Sequence, residues 1–128
     1  MTLKRILHVD DDEDIRVIVQ LALEVVGDFE LLQFADGPTA IKEVASFSPE
    51  LLLLDVMMPG MSGNEVWKAI TDDPSIEPIP VIFFTAKAED SFSKGLVADG
   101  ALAVITKPFD PMKVADEITA IWEGKQGD

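Results

Sequence analysis

Several polar side chains in this sequence directly follow short apolar runs, and their types suit the binding of a metal ion or a phosphoryl group. They are Asp10, Asp11, Asp55, Thr85 and Lys107. Asp55 is the clearest case, because it comes directly after four leucines. An unpaired buried charge is so costly that the group usually neutralises instead. Asp55 therefore either caps the end of an ordinary strand or belongs to a site built to hold its charge.

If these side chains lie together, their chemistry is specific. Three carboxylates in one place repel each other, and a divalent cation or a lysine relieves that repulsion. Oxygen ligands without histidine or cysteine favour Mg²⁺ over zinc. A carboxylate can also act as a nucleophile and form an aspartyl-phosphate, whose phosphoryl oxygens need positive charge and a hydroxyl donor. Lys107 and Thr85 are of the right types for those two roles.

The apolar pattern predicts the elements that would position these residues. Short β-rich runs predict strands at 4–9, 29–35, 50–55, 80–85 and 101–106. Helical spacing predicts helices in the stretches 11–27, 36–49, 62–71, 89–100 and 107–124. The strand at 50–55 is apolar on both faces, which is typical of parallel sheets covered by helices.

Local signals support several of the predicted helices. The first helix rests on an apolar stripe formed by Ile15, Ile18, Val19, Ala22, Val25 and Val26. Ser62 and Glu65 have the spacing of a capping box at the start of the third helix. Asp110 is predicted as the N-cap of the last helix, with Pro111 at its first position.

Five strands that alternate with five helices predict an α/β fold, a doubly wound (βα)5 sandwich around a five-stranded parallel sheet. Such sheets bind ligands beyond the carboxyl ends of their strands, at the switch in strand order. The five polar residues follow four of those strand ends. An isolated triplet at Asp10, Asp11 and Asp12 could be no more than a helix cap. Because polar residues also follow the other strand ends, we favour a binding site that includes Asp10 and Asp11. Only Asp12 is interpreted as a helix cap or surface acid.

Composition excludes several classes of protein. The chain has 128 residues, the size of one ordinary domain, and its lack of cysteine excludes disulfides and thiolate chemistry. A net charge of −14 makes direct binding to nucleic acid or to anionic lipid improbable. No apolar stretch reaches the roughly 18 residues of a membrane span, and the acidic start does not suit a signal peptide.

At this point the sequence resembles the receiver domain of two-component response regulators. The matching stretches are "ILHVDDDEDIR", "LLLLDVMMPGMSGNE", "VIFFTAKA" and "ITKPFD". Their order and spacing cover residues 4 to about 123, so we expect one receiver domain over 1–128 with a short flexible C-terminal tail. The resemblance implies a flavodoxin-like sheet of strand order 2-1-3-4-5.

The resemblance also implies roles for single residues. Asp55 would be the phosphoacceptor, and Mg²⁺ would be the cofactor. Asp11, Asp55 and the backbone carbonyl of Met57 would bind the ion directly, with Asp10 acting through a water molecule. Thr85 would bind a phosphoryl oxygen.

Lys107 would pair with the phosphoryl group, placed there by a cis peptide before Pro108. Ala86 is small, as access to the phosphoryl group requires. Two positions that tune phosphoryl lifetime in the family hold Met57 and Lys87. Because Met57 cannot orient an attacking water, the sequence predicts slow self-dephosphorylation. The aromatic switch residue three positions before the lysine is replaced by Val104, so an aromatic rotamer cannot report phosphorylation here.

The resemblance implies a cytoplasmic signalling protein that is not an enzyme acting on a separate substrate. Its partners would be a histidine kinase or a histidine phosphotransfer protein, and a downstream protein effector. The protein would be a monomer or a phosphorylation-dependent dimer. No output domain fits after the last helix, so we expect either output by protein contact or a fragment of a longer regulator.

Two rival functions stay open at this stage. One is an aspartate-nucleophile phosphatase of the haloacid-dehalogenase type, although the first strand ends in adjacent acids rather than an Asp-x-Asp pattern. The other is an interaction module that is never phosphorylated. His8, the only histidine, lies in the first strand and is interpreted as a packed or edge residue. Phe92 in the polar fourth helix is interpreted as a packing residue, with a partner contact as the alternative.

Overall fold

The computed structural model describes residues 3–86 and 90–126, and it leaves out the side chains of residues 90–93 and 125–126. Lys87, one of the two predicted lifetime positions, and the side chain of Phe92 therefore lie outside the described residues. Neither of those two interpretations is tested by the structure.

Five parallel strands form one sheet. They are β1 (Arg5–Val9), β2 (Glu30–Phe34), β3 (Leu51–Asp55), β4 (Val81–Thr85) and β5 (Ala103–Thr106). Their order across the sheet is β2-β1-β3-β4-β5, which confirms the predicted order. The chain switches direction across the sheet between β1 and β3, so the carboxyl ends of these two central strands form the predicted ligand edge.

Helices connect the strands and cover both faces of the sheet. They are α1 (Glu13–Gln20), which continues as a π-helical segment (Leu21–Val26), α2 (Gly37–Phe47), α3 (Gly63–Thr71), α4 (Asp90–Ala98) and α5 (Val114–Gln126). Within the ranges that the structure describes, no helix combines the length and hydropathy that crossing a bilayer would require.

The central strand β3 is buried along its whole length. Leu51 and Leu53 pack with α1 and α5 on one face of the sheet. Leu52 and Leu54 pack with α2, α3 and α4 on the other face. Side chains alternate between the faces of a strand, so a run of four leucines serves both cores at once. This double burial fixes the backbone that ends at Asp55.

The apolar stripe from which α1 is predicted is only partly buried, so the predicted core face of this helix is partly wrong. Val19 and Ala22 face the core as predicted, but Leu23, outside the predicted stripe, is buried beside them. Val25 and Val26 are exposed instead. The cause is the π-helical segment, in which Gly27 N–H donates to the carbonyl oxygen of Ala22 five residues earlier. That wider turn rotates the following side chains away from the positions that α-helical spacing predicts.

The predicted start of the last helix is also wrong. Asp110 was predicted as its N-cap and Pro111 as its first residue, whereas α5 begins at Val114. Residues 111–113 form a turn in which the Asp110 carboxylate accepts a hydrogen bond from Met112 N–H at 2.9 Å. Asp110 therefore caps this preceding turn, and the helix begins after it.

The predicted capping box of α3 is confirmed, since Ser62 and Glu65 bond each other's backbone N–H groups. The box places Gly63 against the site strand, where Gly63 N–H donates to the Val56 carbonyl oxygen at 3.0 Å. A β-carbon at Gly63 would collide with the backbone carbonyl oxygen of Asp55. Glycine is therefore required where α3 meets the end of β3.

Gly63→Ala is expected to lower the free energy of unfolding by about 2 kcal/mol, because backbone must move to admit the methyl group. Gly95→Ala is the matched control, since a β-carbon at that position in α4 meets no atom within 4 Å. The control should be neutral or stabilising by up to about 1 kcal/mol. Urea unfolding of both variants measures the difference, and equal stabilities would contradict the predicted collision.

Candidate functional site

The sheet register brings the predicted site residues to one edge. Val9 of β1 pairs with Leu54 of β3, so Asp10 and Asp55 follow at the same level. Asp55 pairs with Phe84 of β4, which places Thr85 next along the edge. Lys107 comes directly after β5, and its backbone N–H donates to the Thr85 carbonyl oxygen at 2.8 Å. Four strand ends thus converge, as their positions in the sequence predict.

Asp10, Asp11 and Asp55 form an acidic cluster, which we call the acidic triad. One carboxylate oxygen from each lies within 4.8 Å of the others. Asp10 and Asp55 are buried, whereas Asp11 is exposed at the mouth. The set offers oxygen ligands only, with one side open to solvent. This donor set fits Mg²⁺, which takes few protein carboxylates and keeps several waters.

Lys107 brings a positive charge to the site. Its ammonium group donates to Asp10 Oδ2 at 2.7 Å and to Asp55 Oδ1 at 3.0 Å. The Lys107–Pro108 peptide is cis, as the resemblance predicted. One lysine thus bridges two carboxylates that would otherwise repel each other.

Electrostatics separates Asp55 from an ordinary surface acid. Burial, followed by the nearby charge of Asp10, raises the pKa of Asp55 from 3.8 to about 6, and the hydrogen bond from Lys107 only partly opposes this. Burial alone would lower the pKa of Lys107, but its hydrogen bonds to Asp10 and Asp55 raise it above its ordinary value. The site therefore holds a charged lysine beside a carboxylate that is costly to ionise. Perturbed carboxyl groups of this kind cluster at functional sites.

The backbone around Asp10 is fixed by two contacts. Asp10 Oδ1 accepts a hydrogen bond from Asp12 N–H at 3.0 Å, and the Asp10 carbonyl oxygen accepts one from Arg16 Nη1 at 2.7 Å. The Asp12 side chain caps α1 by accepting from Asp14 N–H and Ile15 N–H, which confirms that Asp12 is a helix cap. Sequence reasoning missed Arg16, because nothing in its spacing separates it from a solvated arginine on a helix.

Four further predicted positions lie around this edge. Thr85 is buried, at 1% exposure, at the end of β4. The Met57 side chain is exposed, and the role of its carbonyl oxygen as a metal ligand stays a prediction. Val104 is half-buried and packs against the apolar cluster on the α2 and α3 face. Ala86, which follows Thr85, is exposed.

His8 is fully buried beneath the site, which confirms its interpretation as a packed residue. Its Nδ1 atom lies 3.0 Å from Gln33 Nε2 on the neighbouring strand β2. Burial, and to a smaller extent the charges of Lys107 and Arg16, lowers the pKa of His8 from 6.5 to about 3. The imidazole is therefore neutral at physiological pH. Sequence reasoning missed its contact with Gln33, which only the strand register reveals.

Curated proteins are similar to this chain in amino-acid sequence. The chain is 39% identical over 119 residues to the phosphate regulon transcriptional regulatory protein PhoB of Pseudomonas aeruginosa, covering 92% of this chain and 51% of that protein. It is 38% identical to the alkaline phosphatase synthesis transcriptional regulatory protein PhoP of Bacillus subtilis, covering 92% and 48% respectively. The chain thus spans about half the length of these curated relatives.

Solved structures agree in fold. A CheY-like response regulator receiver domain protein from Methanospirillum hungatei superposes with a TM-score of 0.79 at 29% identity, covering 99% of this chain and 100% of that one. The chemotaxis protein CheY4 of Vibrio cholerae superposes with a TM-score of 0.83 at 27% identity, covering 94% and 99%. The family described as the response regulator receiver domain matches residues 6–119. This chain therefore belongs to the receiver domain family of two-component response regulators.

Proposed function

We propose that the chain is a cytoplasmic phosphoacceptor that takes a phosphoryl group onto Asp55 and thereby changes its affinity for a protein partner. The observation that carries the proposal is the bridge from Lys107 to Asp10 and Asp55, beside the open carboxylate of Asp11. The bridge supplies a nucleophilic oxygen, a fixed positive charge and an open metal-ligand position in one place. Phosphoryl transfer needs these three components and little covalent assistance.

In the proposed reaction, a carboxylate oxygen of Asp55 attacks the phosphorus of a phosphohistidine on a partner protein. A P–O bond to Asp55 forms while the P–N bond breaks, and the leaving imidazole takes up a proton. The rigid strand β3 aims the nucleophile, since every residue of that strand is buried. With acetyl phosphate as donor, acetate is the leaving group instead.

Two side chains would stabilise the transferred group. Lys107, already 3.0 Å from Asp55 Oδ1, would pair with the phosphoryl oxygens that develop charge. Thr85 ends the neighbouring strand, and its hydroxyl would donate to a second phosphoryl oxygen. Because Thr85 shares a backbone hydrogen bond with Lys107, the two side chains would respond to phosphorylation together.

The acidic triad is proposed to hold Mg²⁺. Asp11 and Asp55, with the backbone carbonyl of Met57, would be direct ligands, and Asp10 would act through water. When bound, the ion would neutralise phosphoryl oxygens and the repulsion among the carboxylates. Burial, followed by the charge of Asp10, raises the pKa of Asp55, and a bound cation would offset both effects by stabilising the ionised carboxylate.

An exposed apolar surface supports a protein partner. Val17 on α1, and Leu21 and Val25 on its π-helical extension, are 50%, 57% and 73% exposed. Clustered exposed apolar side chains are typical of interaction sites. The helix that carries this surface begins at Glu13, two residues after Asp11 of the acidic triad. A histidine kinase or a histidine phosphotransfer protein is the proposed donor, a downstream protein is the proposed effector, and the chain would be a monomer or a phosphorylation-dependent dimer.

Turnover separates this proposal from the rival phosphatase. With Mg²⁺ and an excess of acetyl phosphate, a receiver takes up one phosphoryl group per chain and does not hydrolyse a small phosphomonoester such as p-nitrophenyl phosphate. A haloacid-dehalogenase-like enzyme would release p-nitrophenol continuously. Steady release that Asp55→Asn abolishes would overturn the proposal that this chain is not an enzyme with a separate substrate.

The phosphoryl group on Asp55 is expected to persist for minutes or longer. The exposed side chain of Met57 has no group that can orient or deprotonate an attacking water. The decay of phosphoprotein after removal of acetyl phosphate, followed on a phosphate-affinity gel, measures the lifetime. Met57→Asn, which adds an amide at the same place, is expected to shorten it, and a half-life of a few seconds for the unsubstituted chain would contradict the prediction.

A further inference from the structure

The proton position on His8 is fixed by its neighbour. The amide nitrogen of Gln33 donates to the Arg16 carbonyl oxygen at 2.9 Å, and a carbonyl oxygen can only accept. The second proton of the same amide nitrogen therefore points to His8 Nδ1 at 3.0 Å. Nδ1 accepts this bond, so the neutral ring carries its proton on Nε2.

That Nε2–H group is buried without a hydrogen-bond partner in the part of the chain that the structure describes. It faces Asp10 Oδ2 at 4.0 Å, about 1 Å beyond hydrogen-bond distance. The edge-on ring of Phe84, with centroids 6.0 Å apart, packs against the same imidazole. A buried donor left unbonded costs free energy in this state, and a state in which the donor is hydrogen-bonded recovers that cost.

Asp10 Oδ2 is the acceptor that would use it. In the structure this oxygen is bonded to Lys107 Nζ at 2.7 Å, while Oδ1 accepts from Asp12 N–H. Under the proposed function, Lys107 is drawn toward the phosphoryl group on Asp55. Asp10 Oδ2 would then lose the Lys107 donor at a position that is fully buried.

We propose that His8 is a positioning residue. Its Nε2–H group, which Gln33 orients, donates a hydrogen bond to Asp10 Oδ2 when Lys107 turns to the phosphoryl group. The inference rests on the proposed function. It extends that function to a relay of side chains that runs from β2 to the phosphoryl site and consists of Gln33, His8, Asp10 and Lys107. The ring keeps its proton throughout, so no protonation change is involved. Its effect is to hold the Asp10 carboxylate in place while the cation moves.

The single histidine of this chain makes the test direct. Ring ¹⁵N–¹H correlation spectra of the unsubstituted protein are recorded with Mg²⁺ alone, and again after addition of beryllofluoride, a stable phosphoryl analogue. We expect a protonated Nε2 and an unprotonated Nδ1 in both states. We expect the Nε2–H proton to shift downfield when the analogue binds, because a charge-assisted hydrogen bond forms.

A proton on Nδ1, or an Nε2–H resonance that does not move while backbone resonances of Asp55 and Thr85 do, would overturn the inference and leave the proposed function standing. If no resonance near Asp55 responds to beryllofluoride, the proposed function fails and the inference fails with it. The two failures are therefore distinguishable in one experiment.

A second measurement uses Gln33→Leu, which keeps the imidazole but removes the group that orients it. Phosphorylation by acetyl phosphate should slow by roughly tenfold, the scale of one charge-assisted hydrogen bond. Gln20→Leu is the matched control, because Gln20 is an exposed residue of α1 outside the relay. Gln33→Asn, which can still donate, should restore part of the rate, whereas a packing role alone would favour leucine. Equal rates for Gln33→Leu and Gln20→Leu would overturn the inference.

Discussion

Asp55→Asn is expected to raise the free energy of unfolding by roughly 3 kcal/mol at pH 7 when divalent cations are chelated. Burial and the charge of Asp10 raise the pKa of Asp55 from 3.8 to about 6, so the ionised carboxylate destabilises the fold at neutral pH. Asparagine keeps the shape and loses the charge. Removal of the proposed phosphoacceptor is therefore expected to stabilise the protein, as at sites where function requires strain.

The pH dependence has a defined sign. A raised folded-state pKa means that Asp55 contributes its full stability below pH 3.8, and that this contribution is lost as pH rises through about 6. The gain from Asp55→Asn should therefore be near zero at pH 4 and reach its full size above pH 7.

Urea unfolding of both proteins between pH 4 and pH 7, with EDTA present, measures how much Asp55→Asn raises the free energy of unfolding. Asp99→Asn, the same change at an exposed aspartate outside the site, is the control and should have little effect at any pH. Excess Mg²⁺ should stabilise the unsubstituted chain more than Asp55→Asn, since a ligand stabilises only the folded state that binds it. A variant that is less stable than the unsubstituted chain at pH 7 would show that the site does not strain Asp55.

Lys107→Met is expected to have the opposite effect and to lower the free energy of unfolding by about 3 kcal/mol without divalent cations, because it leaves two buried carboxylates uncompensated. The Lys107 ammonium group bonds both Asp10 and Asp55, and its side chain is 15% exposed. Methionine keeps most of the apolar stem. The same variant should be phosphorylated much more slowly by acetyl phosphate, because the phosphoryl oxygens lose their protein cation.

A double-mutant cycle isolates this coupling. In an Asp55→Asn background, Lys107→Met should lower the free energy of unfolding by at least about 1 kcal/mol less than in the unsubstituted chain. The reason is that only one of the two carboxylates is then left without a cation. Lys68→Met is the matched control, since Lys68 pairs with Asp72 at 2.9 Å on the surface of α3 at 77% exposure. It should change stability by no more than about 0.5 kcal/mol. Additive effects of Lys107→Met and Asp55→Asn would contradict the bridging role of the lysine.

The part of the site that sequence could predict lies at strand ends. A strand of four successive leucines is fully buried in a sheet covered on both faces, and Asp55, which follows them, then lies at the carboxyl edge. The same reasoning brought Asp10, Thr85 and Lys107 to that edge. Their mutual distances could not be predicted, because they depend on residues up to 97 positions apart.

The features that sequence missed depend on register. Hydrophobic spacing predicts an α-helix through residue 26, but residues Leu21–Val26 are π-helical, and Val25 is exposed rather than buried. The last helix also differs from the prediction. Hydrogen bonds to the Asp110 carbonyl oxygen form a turn after Asp110, so α5 begins at Val114 instead of at the predicted position. The contact between His8 and Gln33 requires the parallel pairing of β1 with β2, which places those two residues side by side.

Val104 occupies the position at which the sequence resemblance predicts an aromatic switch residue. The valine is half-buried and packs against the apolar cluster on the α2 and α3 face. A relay through an aromatic rotamer is therefore absent at this position. The side chains that remain next to the site, Thr85 and Lys107, are joined by a backbone hydrogen bond and are the proposed origin of any response to phosphorylation.

The central claim is that Asp55 accepts a phosphoryl group, and intact mass spectrometry tests it most directly. Incubation with acetyl phosphate and Mg²⁺ should add the mass of one phosphoryl group to the unsubstituted chain. The adduct should be absent from Asp55→Asn, retained in Asp12→Asn, and absent when EDTA replaces Mg²⁺. No adduct on the unsubstituted chain, or an adduct of equal yield on Asp55→Asn, would contradict the account.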